Sequence, residues 1–221
     1  MLVMLPPRRH GPAKALNPYA GDHIVTAEPR ELEAARSAGA ESLARFPYLV
    51  ARYASRGGAF TTSDGAWIVT LVERGPAHRR EEVDWLASVL FHRGMPRRML
   101  EVYLPRLAAE LTENWPERGE EYRVLVEEGE RLAAERRAVL PDAVFDAVDR
   151  EFVRRATPGA PFDPRGTGEL LAGGVADEAC GHGASLEKLR GWLSDPARFP
   201  VGWLGAVHEA VREARAALVG R

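Results

Sequence analysis

His92 is the side chain in this sequence best placed to bind a ligand. It follows Val89 by one helical turn and Trp85 by two, so it flanks an apolar stripe rather than sitting at its centre. Beside Trp85, Trp67 and Tyr103 it could line an aromatic pocket for a small planar molecule. The competing reading, preferred from residue type alone, is a boundary histidine that covers apolar surface or caps carbonyls near Gly94. A second constellation is Cys180 and His182 in ACGHG. A thiolate–imidazole pair needs the two side chains to meet, and nothing near them is fixed as an orienting carboxylate or amide. A Gly-lined loop is the simpler account. The glycines of GTGELLAGG lack the preceding strand and the later acidic residue of a dinucleotide fingerprint. The carboxylates of GEEYRVLVEEGERLAAERR stand three and four residues from arginines, as on a solvated helix, and no Glu-x-x-His motif accompanies them. Arg79-Arg80 and Arg97-Arg98 form a small basic patch open to an acidic partner.

Composition narrows the class. The chain has 221 residues, 45% apolar and 28% charged, with a net charge of −2. That is a globular balance, long enough to bury a substantial core, and it gives no reason to seek nucleic acid. The single cysteine excludes an intrachain disulfide and a Cys-rich zinc site. The start, MLVMLPPRRH, has its charge after a short apolar tip, unlike a signal peptide, and no window reaches the ~18 apolar residues of a membrane span. A cytoplasmic location and no membrane partner are expected.

The elements that must position these residues are helices. Residues 1–28 read as an extended arm anchored by Tyr19, Ile24 and Val25. Residues 29–156 read as a helical bundle. Pro29 opens a helix with Leu32, Ala35, Ala38 and Ser42 on one face, and Pro47 opens a second that Gly57-Gly58 ends. In Thr61–Val72, an Asp-Gly pair between β-prone runs signals a hairpin. Thr62 or Ser63 as an N-cap, with Trp67, Ile68, Leu71 and Val72 inward, signals a helix. The helical neighbours favour the second.

The densest periodicity runs from Arg80 to Leu111. Val83, Leu86, Val89 and Leu90 form one stripe, Gly94 and Pro96 a corner, and Leu100, Tyr103, Leu104, Leu107 and Leu111 the next stripe. Pro105 removes a helical hydrogen bond to Glu101, so a kink or a fresh start is expected there. A charged helix over 119–140 and one carrying Phe145, Val148 and Phe152 complete the bundle. Residues 157–183 read as a Gly/Pro-rich loop with a short helical turn. Residues 184–221 read as two helices that pack on the bundle.

Trp85-Leu86, Val89-Leu90, Arg93-Gly94 and Pro96, with leucines at helical spacing beyond and SDGAWIVTL (Ser63 to Leu71) upstream, resemble a known family. They are similar to the globin-like sensory modules found beside cobalamin-binding domains, the photoglobins. They are also similar to the non-haem globin-like modules of bacterial stressosome proteins. The likeness covers Ser42 to Leu111. It implies a globin-like fold that senses or transmits, often as a dimer and often without haem. The sequence departs from that group in lacking a cobalamin-binding domain, an Asp-x-His-x-x-Gly motif and a familiar output domain.

The expectation is therefore an all-α, globin-like bundle of six to eight helices with a loop-rich region and a C-terminal helical pair. It would be a non-catalytic regulatory or ligand-binding protein acting through a central pocket around Trp67, Trp85, His92 and Tyr103, or through a helical interface. No cofactor is expected. One alternative is a haem or tetrapyrrole binder with His92 as ligand. Another is an accessory subunit that binds a protein partner or itself, through an apolar face around Trp192, Phe199 and Trp203.

Overall fold

Ten α-helices and one short two-stranded ribbon account for almost all regular structure in the computed structural model, which describes residues 5–219. The apolar tip of the N-terminal arm, residues 1–4, lies outside them. The helices are α1 (Pro29–Arg45), α2 (Pro47–Tyr53), α3 (Ser55–Thr70), α4 (Pro76–Phe91), α5 (Arg98–Asn114), α6 (Gly119–Arg137), α7 (Asp142–Ala156), α8 (Thr167–Ala179), α9 (Ala184–Leu193) and α10 (Val201–Ala216). The fold is an all-α bundle, and none of the described helices is long and apolar enough to cross a membrane.

The arm is more structured than its composition suggests. Strand β1 (His10–Pro12) pairs antiparallel with β2 (Ile24–Thr26), with Gly11 opposite Val25. Val25 is the buried anchor; Tyr19 and Ile24 point outward. Glu31 of α1 locks the arm in place. Its fully buried carboxylate accepts hydrogen bonds from Arg8 Nε at 2.6 Å, Thr26 Oγ1 at 2.5 Å and Tyr122 Oη at 2.9 Å. A carboxylate so enclosed is tolerated because every lone pair it turns inward finds a donor.

Thr61–Val72 is helical, and the helix begins earlier than the N-cap signals imply. Helix α2 ends where Ala54 takes φ +50°, so Gly57 and Gly58 fall in the first turn of α3 instead of ending α2. Helix α5 runs through Pro105 without interruption. The bond lost to the Glu101 carbonyl is accommodated by close packing: a Cβ on Gly129 of α6 would lie 2.8 Å from the Pro105 ring and 3.3 Å from that carbonyl. Leu100, Tyr103, Leu104, Leu107 and Leu111 are all buried as their spacing requires.

The largest departure from the sequence reading is α8. Thirteen residues of the expected Gly/Pro-rich loop form a helix buried from Thr167 to Asp177. Its glycines are contact points. A Cβ on Gly168 would meet Asp149 Cα of α7 at 2.6 Å, one on Gly173 the Arg98 Cβ at 2.9 Å, and one on Gly174 the Leu186 Cα of α9 at 3.1 Å. Two neighbours thus approach this helix more closely than a side chain allows, and the third leaves barely room for one. Asp149 of α7 caps it, accepting from the backbone N–H groups of Gly166 at 3.1 Å and Glu169 at 3.2 Å.

Around α8 the helices α7, α9 and α10 build one core with α2. Helices α1, α3, α4, α5 and α6 build the other. The face expected to be open to a partner is internal to the first. Trp203 and Phe199 stack at 5.1 Å and are buried, with Phe162 and Trp192 packed against them.

Replacing glycine by alanine should have opposite signs in α8 and α9. Gly168→Ala gains helix propensity but drives a Cβ into backbone, and should destabilise by about 1–3 kcal/mol. Gly191→Ala, with nothing within 4 Å of its Cβ, should stabilise by up to about 1 kcal/mol. Urea unfolding of both variants gives the comparison.

Candidate functional site

A cavity of about 230 Å³ opens between the two cores. Leu49 and Met99 reach it from the C-terminal core, and Ile68, Leu86, Leu90, Leu100 and Tyr103 from the other. Helix α3 contributes most, through Arg56, Gly57, Phe60, Thr61, Asp64 and Ile68. Phe60, Asp64 and Ile68 are four residues apart and therefore share one face of that helix. The Arg93–Gly94–Met95 corner between α4 and α5 closes the remaining side. It is held by Tyr48 and Tyr53, whose hydroxyls donate to the carbonyls of Gly94 and Arg93.

The lining is overwhelmingly apolar, and Asp64 is the only carboxylate in it. Among the described residues no donor engages that carboxylate. Burial pushes its pKa up to about 6, against a smaller downward pull from the Arg93 guanidinium. Tyr103 is buried in the same wall. Its hydroxyl lies against Gly65, 2.3 Å from where a Cβ would stand, and has no hydrogen-bond partner among the described residues. Burial raises its pKa, and the nearby charge of Asp64 raises it further. Arg56 and Arg93 are the exposed members of the lining, and Arg93 lies over the Phe60 ring at 5.6 Å. The site is thus an apolar cavity with one carboxylate on its wall that no donor engages and two exposed guanidinium groups in its lining.

Of the four residues expected around a central pocket, only Tyr103 lines this cavity. Trp85 is 57% exposed, because its position one residue before Leu86 turns it off the buried stripe. Trp67 meets it edge-on at 5.6 Å and His23 of the arm at 6.5 Å, so this aromatic group lies on the arm side of α3. His92 is exposed, and its Nδ1 is 2.8 Å from the Ser88 carbonyl in the last turn of α4. It faces a second, more open hollow with His182, whose ring stacks on Phe91 at 5.0 Å. Asp84 at that hollow is engaged by Arg131 at 2.7 Å, and no group of three metal-ligating side chains occurs among the described residues. The imidazoles of His92 and His182 both line that second hollow, so a ligand held by His92 would sit there and not in the apolar cavity.

Three of the four arginines of the basic patch are engaged within the chain, and Arg80 is exposed. Arg97 donates to Asp177 of α8, through its backbone N–H at 3.0 Å and Nε at 3.1 Å, and Arg98 Nε to Glu169 at 2.7 Å. Arg79 is buried and donates to the Arg74 carbonyl at 2.9 Å. The acidic partner of Arg97 and Arg98 is the chain itself.

No protein-family model matches the chain, and no curated protein or solved structure matches it either.

Asp64 gives a pH dependence of definite sign. Its folded pKa of about 6 stands above the ordinary 3.8, so between those values the folded state holds more of this proton than the unfolded state. Stability from this group therefore falls as pH rises from 4 to 6 and stays reduced above. Asp64→Asn should remove that fall, and comparison of urea midpoints for both proteins at pH 4.5 and pH 8 measures it. Tyr103→Phe removes a buried hydroxyl that satisfies nothing. It should leave stability unchanged or raise it by about 1 kcal/mol, in contrast to the loss expected when a bonded tyrosine is truncated.

Proposed function

We propose that the protein is a non-catalytic regulatory protein that binds a small, largely apolar molecule in the cavity between its two cores. The observation that carries this reading is the cavity's composition: aliphatic and aromatic walls around a single unpartnered carboxylate. Ligand sites have this form, apolar walls for affinity and few polar groups for orientation. The lining offers no imidazole, thiol or second carboxylate beside Asp64, so it favours binding over acid–base or nucleophilic chemistry.

Two features support regulation as the purpose. The lining runs from Ser42 to Tyr103, inside the stretch whose helices resemble globin-like sensory modules. The cavity also borders both cores, so a ligand there touches side chains of each. Occupancy would bias how α5 seats against α2 and α3, and a ligand shifts a conformational balance only by contacts that differ between its states. The exposed Trp85, paired edge-on with Trp67, is the apolar surface on which such a change could reach a partner or a second copy of the chain.

Methionine methyl resonances test the binding. The sequence has four methionines, and Met95 and Met99 line the cavity. Toluene added to protein labelled at the methionine methyl carbon should shift two resonances, assigned through Met95→Leu and Met99→Leu. Leu90→Phe, which fills the cavity, should abolish the shifts at an unchanged fold. Unmoved Met95 and Met99 signals near toluene saturation would refute the reading.

A further inference from the structure

The cavity specifies its ligand more closely than size and greasiness do. A cavity of about 150 Å³ lined by Leu, Ile and Phe takes up benzene. At about 230 Å³ this one has room for a single ring with a small substituent. The substituent is defined by what the walls leave unanswered. An ionised carboxylate only accepts hydrogen bonds, and Asp64 has no donor among the described residues. The Tyr103 hydroxyl also has no partner among the described residues, but it is packed against Gly65 and closed off from the cavity, so it makes no demand on the ligand. The ligand group that answers Asp64 is a small uncharged donor, and a hydroxyl is the most compact of these.

Charge points the same way. A carboxylate on the ligand would be driven against Asp64. An ammonium would have to shed its water in an apolar cavity with Arg56 and Arg93 in its lining, and removing a second charge from water commonly costs as much as the ion pair returns. An uncharged O–H donating to a carboxylate avoids that cost and still forms a charge-assisted bond, about twice as strong as a neutral one.

We propose that the ligand is a small, uncharged, single-ring alcohol or phenol whose hydroxyl donates to the Asp64 carboxylate. This rests on the cavity being a binding site, and the test separates the two claims. Toluene and 4-methylphenol differ only by the hydroxyl. Their dissociation constants, read from the Met95 and Met99 methyl shifts, give a preference for the hydroxyl. That preference should be about tenfold greater in the natural protein than in Asp64→Leu, the ~1.4 kcal/mol of one good hydrogen bond. Asp64→Asn, which keeps the side-chain shape, should lie between them. In the natural protein the preference should also decline from pH 8 to pH 5 as Asp64 gains its proton. Equal preference in the natural protein and Asp64→Leu, with toluene bound by both, would overturn the hydroxyl assignment and leave the cavity standing as a site. Benzylamine or 4-methylbenzoate binding more tightly than 4-methylphenol would overturn the uncharged assignment. Failure of all four compounds to bind would overturn the site itself.

Discussion

The pairing of Arg97 and Arg98 with the acidic groups of α8 is the constraint on which the arrangement of the two cores depends. Asp177 lies in the interior and takes three hydrogen bonds, two from Arg97 and one from Ser185 Oγ at 2.9 Å. Glu169, one face further along α8, accepts from Arg98 and also from Arg45 at the end of α1 at 2.8 Å. Glu101 of α5 in turn accepts from Arg136 of α6 at 2.5 Å. Burial alone pushes the Asp177 carboxyl upward, and the donors from Arg97 and Ser185 oppose that rise. Such pairs contribute little net stability against an apolar substitute, but losing one partner strands the other and costs about 3–5 kcal/mol. Their effect is positional. They fix which turn of α8 meets the Pro96 corner, where Gly173 already removes the side chain that would keep the two apart.

That fixed contact explains how a void persists between the cores. A cavity in a single well-packed core tends to be reduced by small movements of its walls, each of which gains dispersion contacts. Here the walls belong to two cores joined by ion pairs at α8 and by the Tyr48 and Tyr53 hydroxyls at Gly94 and Arg93. Helix α3 cannot advance on the opposite side, because Gly39 already brings α1 against Thr61, 3.0 Å from where a Cβ would stand. Each contact that gives the fold its register therefore also keeps the cavity open.

Much of this was legible in the sequence, and the failures have a common physical origin. The stripes of α4 and α5 are read directly from apolar spacing, and Tyr103 falls on the inner face by that rule alone. Helix α8 was not legible, because Gly166, Gly168, Gly173 and Gly174 count toward a loop when propensity is summed. Propensity describes a helix in water, whereas α8 is enclosed on three sides and spends its glycines on approach. His92 and Trp85 were drawn into a pocket by residue type; the 100° step of the helix places both outside it. An N-cap at Thr62 or Ser63 would put Asp64 in a first helical turn, where a negative charge is merely favourable. With α3 beginning at Ser55, Asp64 lies mid-helix in line with Phe60 and Ile68, and a carboxylate on the apolar face of a helix is the signal that could have found it.

A buried carboxylate with no donor is costly enough that proteins ordinarily neutralise, pair or expose it. Elsewhere in this chain the rule is followed closely: Glu31, Glu101, Glu169 and Asp177 are all buried and all answered by arginine, tyrosine, threonine or serine donors. Asp64 differs from these: it is part-exposed in the cavity wall, and among the described residues no donor engages it. Arg93 is near enough to act on it through space, yet lies over Phe60 without bonding to it. A group left in this condition while its neighbours are satisfied is a local cost of the kind that functional sites retain. The physical question posed by the fold is therefore what Asp64 receives when the cavity is filled, and a neutral donor small enough to enter is the answer its surroundings favour.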